Sequence, residues 1–193
     1  MHRSRRQKKN PHQKIKGVLM NEVEVKILEI DRKEIEEKLI KLGAVKVFDD
    51  EMYEIKLDNK EGTLKNNKQL LRIRKEGKEI TLTFKDKSRS EFVKSSEEIE
   101  VTVSDFDTIK ELFSRLGFTE ERSIHKHRTS YKLNNIRYEF DKYLGEYDFV
   151  PGFLEIEAQS ESDVLAAAKL LGFAKEECKP WTTIDIIEHY KKN

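Results

Sequence analysis

The chain has 193 residues, of which 36% are hydrophobic and 39% are charged, and its formal net charge is +1. The charged fraction is well above the roughly 25% of an ordinary domain, but ten Phe, six Tyr and one Trp can build a core, so disorder throughout is not expected. No apolar run approaches the ~18 residues of a membrane-spanning helix, and the single cysteine excludes an internal disulfide and fits a reducing compartment such as the cytoplasm.

The first 20 residues differ in charge from the rest of the chain. They hold seven basic residues and no acid, which leaves 31 basic and 37 acidic residues, a net charge of −6, from Asn21 onward. We therefore expect a disordered basic tail over 1–20 and a single domain over 21–193. Two alternatives stay open: the tail is an arm for nucleic acid or a membrane surface, or Met20 is the true start.

Three segments with a similar pattern occur along the domain. Each is an alternating strand with two glutamates, then an amphipathic helix opened by a capping residue, then a Leu-Gly pair. The strands contain Glu22 and Glu24, Glu98 and Glu100, and Glu155 and Glu157; the predicted helix caps are Asp31, Asp105 and Ser160; the glycines are Gly43, Gly117 and Gly172.

Further alternating strands lie between these segments. Gln69–Lys75 and Glu79–Lys85 read as a hairpin around Gly77. The remaining strands are predicted at Val45–Phe48, Met52–Leu57, Ser123–Arg128, Ser130–Leu133 and Arg137–Asp141. About eight to ten strands with three or four helices outside them indicate an α+β fold, and a closed barrel is the natural form for so many strands.

Along these strands the charged side chains share one face and the apolar side chains share the other. Acidic pairs fall on three strands and basic pairs on two others. A sheet with one wet face would alternate in the same way. However, the amphipathic helices are suited to cover the apolar face, and closure of the sheet would then turn the charges inward.

An interior lined by carboxylates and cations predicts a wet channel for a ligand, because unpaired charge is too costly for a dry core. Carboxylate clusters bind Mg²⁺ or Mn²⁺, and Arg and Lys bind phosphate oxygens. The sequence therefore predicts an anionic ligand carried with a metal, such as a triphosphate. Binding of inorganic polyanions without turnover stays open.

Seven motifs occur in order between Asn21 and Gln159: EVEVK, RIR, TFK, EEIE, KHR, the isolated Asp141 and FLEIE. In this order they resemble the motif set of the CYTH superfamily, the triphosphate tunnel metalloenzymes. That superfamily comprises class IV (CyaB-type) adenylyl cyclases, thiamine triphosphatases and inorganic triphosphatases.

The resemblance implies a closed eight-stranded antiparallel β-barrel, the triphosphate tunnel, with helices packed outside. It assigns metal binding to Glu22, Glu24, Glu155, Glu157 and Asp141. It assigns triphosphate binding to Lys26, Arg72, Arg74, Lys85, Lys126 and Arg128, and catalytic roles to Asp141, Lys85 and Arg128. Glu98 and Glu100 match a middle acidic pair whose role is left open.

Two reactions fit such a site. The ribose 3′-hydroxyl of ATP can attack the α-phosphorus, giving cyclic AMP and pyrophosphate, or water can attack the terminal phosphorus of a triphosphate. EVEVK and the EEIE spacing favour the CyaB-type cyclase. A small triphosphate is the expected partner, membrane and nucleic acid are not favoured, and a homodimer is left open. A non-catalytic polyphosphate- or RNA-binding module is a hypothesis from a different class.

The sequence departs from the cyclase type in two places. Glu51-Met-Tyr53 stands where cyclases of this type tend to have Asp-x-Tyr-Phe. The loop Leu144 to Gly152 is longer than cyclases of this type usually have, and we expect it to border the tunnel mouth. His125 and His127 form an H-x-H pair that suggests a metal site, but their parity is opposite to that of Lys126, so we expect them to face away from the tunnel.

Overall fold

The computed structural model describes residues 23–86 and 97–191, and within these ranges it forms one sheet flanked by helices. The strands are β1 (Val23–Ile27), β2 (Val45–Asp58), β3 (Gln69–Glu76), β4 (Glu79–Asp86), β5 (Glu97–Thr102), β6 (Thr119–Leu133), β7 (Ile136–Tyr143) and β8 (Phe153–Ala158). The helices are α1 (Arg32–Lys41), α2 (Thr63–Asn66), α3 (Phe106–Arg115), α4 (Glu161–Leu171) and α5 (Thr183–Lys191). None of these helices has the length and apolar character needed to cross a bilayer. The predicted tail and Glu22 lie outside the described residues.

The eight strands form one antiparallel sheet in the order β1-β8-β7-β6-β2-β3-β4-β5. The sheet curls into a half-barrel, so that its edge strands β1 and β5 contribute side chains to the same cavity. This confirms the predicted α+β class and antiparallel strands. Within the described residues no ladder joins β1 to β5, and closure of the barrel is therefore left as a prediction.

Two strands are longer than the sequence predicts. β2 runs for 14 residues and β6 for 15, where the pattern suggested two strands in each place. The polar run around Asp49 interrupts the alternation, but Thr129 on β6 donates a hydrogen bond of 2.8 Å to the Asp49 carboxylate and the ladder continues. A register shift between Lys46 and Phe48 absorbs the irregularity as a bulge.

The three predicted helix caps are confirmed. Asp31 accepts a hydrogen bond from the Glu34 backbone N–H at 3.1 Å, and Asp105 accepts one from Thr108 at 2.7 Å. Ser160 does the same for α4. These bonds satisfy N–H groups that a helix start leaves without intrahelical partners, and so they fix where each helix leaves the sheet.

Two apolar clusters lie on the convex outer face. In the first, α1 and α4 cover β1, β7 and β8, with Ile35 and Leu39 from α1 packed against the strands. The second joins β2 and β3 to α3, which contributes Phe106, Ile109 and Phe113. Since the apolar side chains are held outward by the helices, the charged side chains of the same strands must point into the concave face.

The third cluster lies on the concave face itself, at one end. Ile124, Tyr143 and Phe153 share strand parity with Lys126, Asp141 and Glu155, yet they are buried and apolar. Helix α5 packs Ile186 and Ile187 against them. The C-terminal helix therefore fills this end of the concave face, and most of the side chains that line the remaining cavity are charged.

We expect Leu39→Ala to lower the free energy of unfolding by about 2–5 kcal/mol, because the side chain is fully buried between α1 and the sheet and its loss leaves a cavity. Its neighbour Ile40 is 60% exposed, so Ile40→Ala should change stability by less than about 0.5 kcal/mol. Urea denaturation of the two variants measures the difference. Equal effects would contradict the proposed packing of α1.

Candidate functional site

A cavity of about 630 Å³ occupies the concave face, and all eight strands contribute to its wall. Most of the lining side chains are charged. They are Glu24, Arg72, Arg74, Glu76, Glu79, Lys85, Glu98, Glu100, Arg128, Arg137, Glu139, Glu155 and Glu157. The structure thus brings predicted acids and cations from distant parts of the sequence to one place.

Three carboxylates converge where β1 pairs with β8. Glu24, Glu155 and Glu157 each offer one oxygen, and these oxygens all lie within 4.8 Å of one another. Glu24 stands directly opposite Glu157 in the ladder. Such a set of oxygen donors fits a hard divalent cation, which needs carboxylate oxygens to replace part of its hydration shell.

Lys26 partly neutralises this acidic cluster. Its Nζ donates to Glu155 at 2.6 Å and to Glu24 at 2.9 Å. Burial would lower the pKa of Lys26, but the two carboxylates outweigh burial and hold the pKa well above its ordinary value. The same balance lowers the pKa of Glu155: burial would raise it, and Lys26 and Arg128 reverse the direction. Both groups therefore stay ionised.

Arg128 is the centre of a second charged group. Its Nε and Nη2 each donate to Asp141 at 2.6 Å, and it also contacts Glu139 and, at 3.3 Å, Glu155. Lys126 donates to the same Asp141 carboxylate at 2.5 Å. The Asp141 side chain is fully buried. Both of its oxygens are therefore held by cations, and the cluster of Glu24, Glu155 and Glu157 does not include it.

A third charged group lies between β2 and β3. Glu54 accepts hydrogen bonds from Arg74 at 3.2 and 3.3 Å, and one of its oxygens lies 3.6 Å from Arg72. Burial would raise the pKa of Glu54, but the two guanidinium groups lower it far below its ordinary value. One carboxylate thus holds two arginines side by side, facing the cavity.

The fourth group joins β3, β4 and β5. Lys85 pairs with Glu98, and Thr83 donates to Glu100 at 2.8 Å. Burial, followed by the neighbouring Arg74, lowers the pKa of Arg72. The buried Nε of Arg72 has no hydrogen-bond acceptor among the described residues. Arg72 is therefore a cation in the cavity with a donor left for an incoming anion.

Sequence reasoning missed two buried acids of this site, Glu54 and Glu139. Both share the parity of predicted site positions: Glu54 lies opposite Arg74, and Glu139 lies two residues before Asp141 on β7. Alternation with Ile55 and Phe140 was available as a signal. Alternation alone does not single out these two residues, because an isolated acid, unlike a Glu-x-Glu pair, forms no motif of its own.

The H-x-H pair lies where parity predicts. His125 contacts Glu51 at 2.9 Å and His127 contacts Asp49 at 3.5 Å, and neither histidine lines the cavity. That the loop Leu144 to Gly152 borders the tunnel mouth stays a prediction. Its buried Val150 packs in the α5 cluster and none of its residues lines the cavity, since β7 and β8 are joined at the end that α5 fills.

Comparison with known proteins supports a common fold and family. The CYTH domain model matches residues 20–179. A protein of Methanocaldococcus jannaschii named "Putative adenylate cyclase" is 33% identical over 155 residues, covering 79% of this chain and 84% of that protein.

Two solved structures have similar folds. The PH1012 protein of Pyrococcus horikoshii is 27% identical, with a TM-score of 0.69 over 86% of this chain and 98% of its own. A Hippeastrum protein, HpAC1, is 15% identical, with a TM-score of 0.62 over 88% of this chain and 95% of its own, and a dominant triphosphatase activity is stated for it.

The Glu54 group predicts a specific dependence of stability on pH. A carboxyl whose pKa is lowered in the folded state stabilises the protein above its unfolded pKa, 4.5 here, and loses that contribution as the pH falls further. We expect Glu54→Gln to cost about 3–5 kcal/mol at pH 7 and to flatten the loss of stability below pH 4.5. Urea denaturation between pH 7 and 3 tests this, with the exposed Glu61→Gln as control. A decline as steep in Glu54→Gln as in the parent would contradict the assignment.

Proposed function

The chain belongs to the CYTH domain family, and on that premise we propose that it is a metal-dependent enzyme acting on a triphosphate, with conversion of ATP to cyclic AMP and pyrophosphate as its reaction. One observation carries the proposal. Three carboxylates converge on one wall of a cavity whose other walls carry cations from β3, β4 and β6. A ligand that bridges the two kinds of wall must be anionic and must bring a cation with it.

Glu24, Glu155 and Glu157 would hold Mg²⁺ or Mn²⁺, because the donor set is oxygen only and suits a hard cation. When bound, the cation would neutralise phosphate charge and polarise a phosphoryl oxygen. Lys26 lies 2.6 Å from Glu155 and 2.9 Å from Glu24 and limits the negative charge of the cluster. Glu22, which the family resemblance also assigns to the metal, remains a prediction.

The triphosphate would lie against the cations of the opposite walls. Arginine binds two phosphate oxygens at once, and lysine acts as a point charge. Arg72 is the best supported of these side chains, because its buried Nε has no acceptor among the described residues. The proposed phosphate-binding residues are Arg72, Arg74, Lys85, Lys126 and Arg128, together with Lys26, which lies beside the acidic cluster itself.

Asp141 would act as a positioning residue. Its two oxygens are bonded to Lys126 and Arg128, so it holds both cations in place, and Arg128 lines the cavity. Charge that develops on phosphate oxygens is stabilised most by donors that are already in place. The prediction that Asp141 also contacts the metal would require one of these bonds to be exchanged.

Hydrolysis of a triphosphate is the second candidate reaction. The Glu24 side chain is 38% exposed, so water can reach the acidic cluster, and water is the nucleophile that hydrolysis needs. The stated activity of the Hippeastrum protein is of this kind. Both reactions use the same cations and differ in which oxygen attacks and which phosphorus is attacked.

Three further proposals accompany this function. The sheet would close between β1 and β5 to complete a tunnel around the triphosphate. The enzyme would work in the cytoplasm, where a single cysteine such as Cys178 stays reduced. A homodimer is proposed as its assembly.

Incubation of the purified protein with ATP and Mg²⁺ or Mn²⁺, followed by chromatographic separation of the products, tests the reaction directly. We expect cyclic AMP and pyrophosphate in equal amounts, because the 3′-hydroxyl displaces pyrophosphate from the α-phosphorus. Formation of ADP and phosphate would show that the protein is a triphosphatase and not a cyclase. Failure to turn over ATP, tripolyphosphate and thiamine triphosphate alike would refute both.

We expect Glu157→Ala to lower turnover by at least about a hundredfold, because it removes one oxygen donor from the acidic cluster. The measurement is the initial rate as a function of Mn²⁺ concentration, where the remaining activity should need more metal. Glu61→Ala removes an exposed carboxylate far from the cavity and should behave like the parent protein. Unchanged metal dependence in Glu157→Ala would exclude this cluster as the metal site.

We expect Lys85→Ala to lower kcat/KM by about 10- to 1000-fold, because Lys85 lines the cavity and would stabilise charge on the transferred group. Lys78 lies in the turn before the same strand and is exposed, so Lys78→Ala is the matched control. Steady-state kinetics on both variants provides the check. Equal kcat/KM values for the two would count against the role of Lys85.

A further inference from the structure

One end of the cavity is unlike the rest of its wall. It is formed by Val47 and Phe48 of β2 and by Glu76 and Glu79, which flank the turn between β3 and β4. These four residues lie together: a Cβ placed on Gly77 in that turn would lie 3.9 Å from the Phe48 ring. None of the four belongs to the set that the family resemblance assigns.

The bulge in β2 brings both apolar side chains into the cavity. In a regular strand neighbouring residues point to opposite faces, so only one of Val47 and Phe48 could line it. The register shift between Lys46 and Phe48 leaves Val47 without its own partner in the ladder, and both side chains line the cavity. Val47 remains 49% exposed, and neither residue belongs to the three apolar clusters.

An acidic pair lies at this end. Burial would lower the pKa of Arg74, and Glu54 and Glu76 are among the carboxylates that raise it. Glu76 and Glu79 are directly opposite each other across the hairpin, an arrangement in which like charges destabilise a sheet. The carboxylates would also repel phosphate groups. A phosphate chain held by Arg72, Arg74 and Arg128 is therefore disfavoured beside Glu76 and Glu79, and a group that donates hydrogen bonds, whether neutral or cationic, is favoured there.

Resting on the proposed function, we propose that this end binds a planar heteroaromatic group attached to the triphosphate, with Phe48 as its stacking surface. The apolar side chains of Val47 and Phe48 would cover the faces of the ring, and Glu76 and Glu79 would accept hydrogen bonds from its amino groups. The substrate is then an organic triphosphate, such as a nucleoside triphosphate, and inorganic tripolyphosphate is the poorer ligand.

Selectivity between two ligands is the quantity to measure, and it requires no turnover. Dissociation constants for ATP, thiamine triphosphate and tripolyphosphate are determined by calorimetry without added metal, so that none of the ligands is turned over during the titration. We expect Phe48→Ala to weaken binding of the organic triphosphates by about 5- to 100-fold, the effect of removing an aromatic stacking surface, and to leave tripolyphosphate unchanged. Comparison of ATP with thiamine triphosphate identifies which heteroaromatic group the site prefers.

Three variants keep the test interpretable. Phe149 is an aromatic residue, 45% exposed and outside the cavity lining, so Phe149→Ala should preserve the selectivity of the parent. Phe48→Tyr retains the ring and should also preserve it. Phe48→Leu retains apolar volume without a ring, and it should lose selectivity even if Phe48→Ala proves too unstable to study.

Failure of the stacking site and failure of the proposed enzyme activity give different results in these measurements. Equal weakening of all three ligands in Phe48→Ala, or no weakening of any, would overturn the stacking site whether or not the protein is an enzyme. Tighter binding of tripolyphosphate than of both organic triphosphates by the parent protein would overturn it as well. Selective weakening in a protein that turns over none of the ligands would support the site and remove the catalytic proposal.

Discussion

Neutralisation of charge across the concave face is the condition on which the rest of the structure depends. Buried, unpaired ions would each cost several kcal/mol, so every buried cation needs a carboxylate within reach. The ladder supplies these partners directly, because cross-strand neighbours share a face. Within residues 23–86 and 97–191, four ion pairs join residues that stand opposite each other in register: Lys26 with Glu155, Arg74 with Glu54, Lys85 with Glu98, and Arg128 with Asp141. A change of strand register would therefore also separate these ion pairs and leave buried charges unpaired.

Packing of the helices on the outer face and pairing of charges on the inner face favour the same orientation of the strands. Burial of Ile35 and Leu39 against β1, β7 and β8 favours the orientation in which Lys26, Arg128 and Glu155 point inward. The inward carboxylates hold the cations in place before a ligand arrives, which lowers the cost of ordering them when it binds. A bound polyphosphate must compete with these carboxylates for the same cations. The net affinity for the polyphosphate would consequently be the difference between the cation–phosphate interactions formed and the cation–carboxylate interactions weakened.

The sequence was sufficient for those parts of the fold that repeat a local rule. Alternation predicted the charged and apolar faces, and capping residues predicted the starts of α1, α3 and α4. The missed features depend on contacts between distant segments. The continuity of β2 and β6 depends on their mutual ladder, and the filling of one end by α5 depends on where Ile124 and Tyr143 stand in their strands. Glu54 and Glu139 could be found by parity, but only their burial beside arginines marks them as part of the site.

Strand parity also constrains how a protein of this kind can change during evolution. Substitutions alter one side chain at a time, whereas a single-residue deletion before His125 in β6 would exchange the two faces of everything downstream in that strand. His125 and His127 would then face the cavity, and Lys126 and Arg128 would face the helices. Insertions and deletions should accordingly be confined to turns and to bulges such as the one at Val47, which already accommodates an extra residue. Relatives that differ in chain length are therefore expected to differ in the loops of this fold, while the number of residues within each strand stays the same.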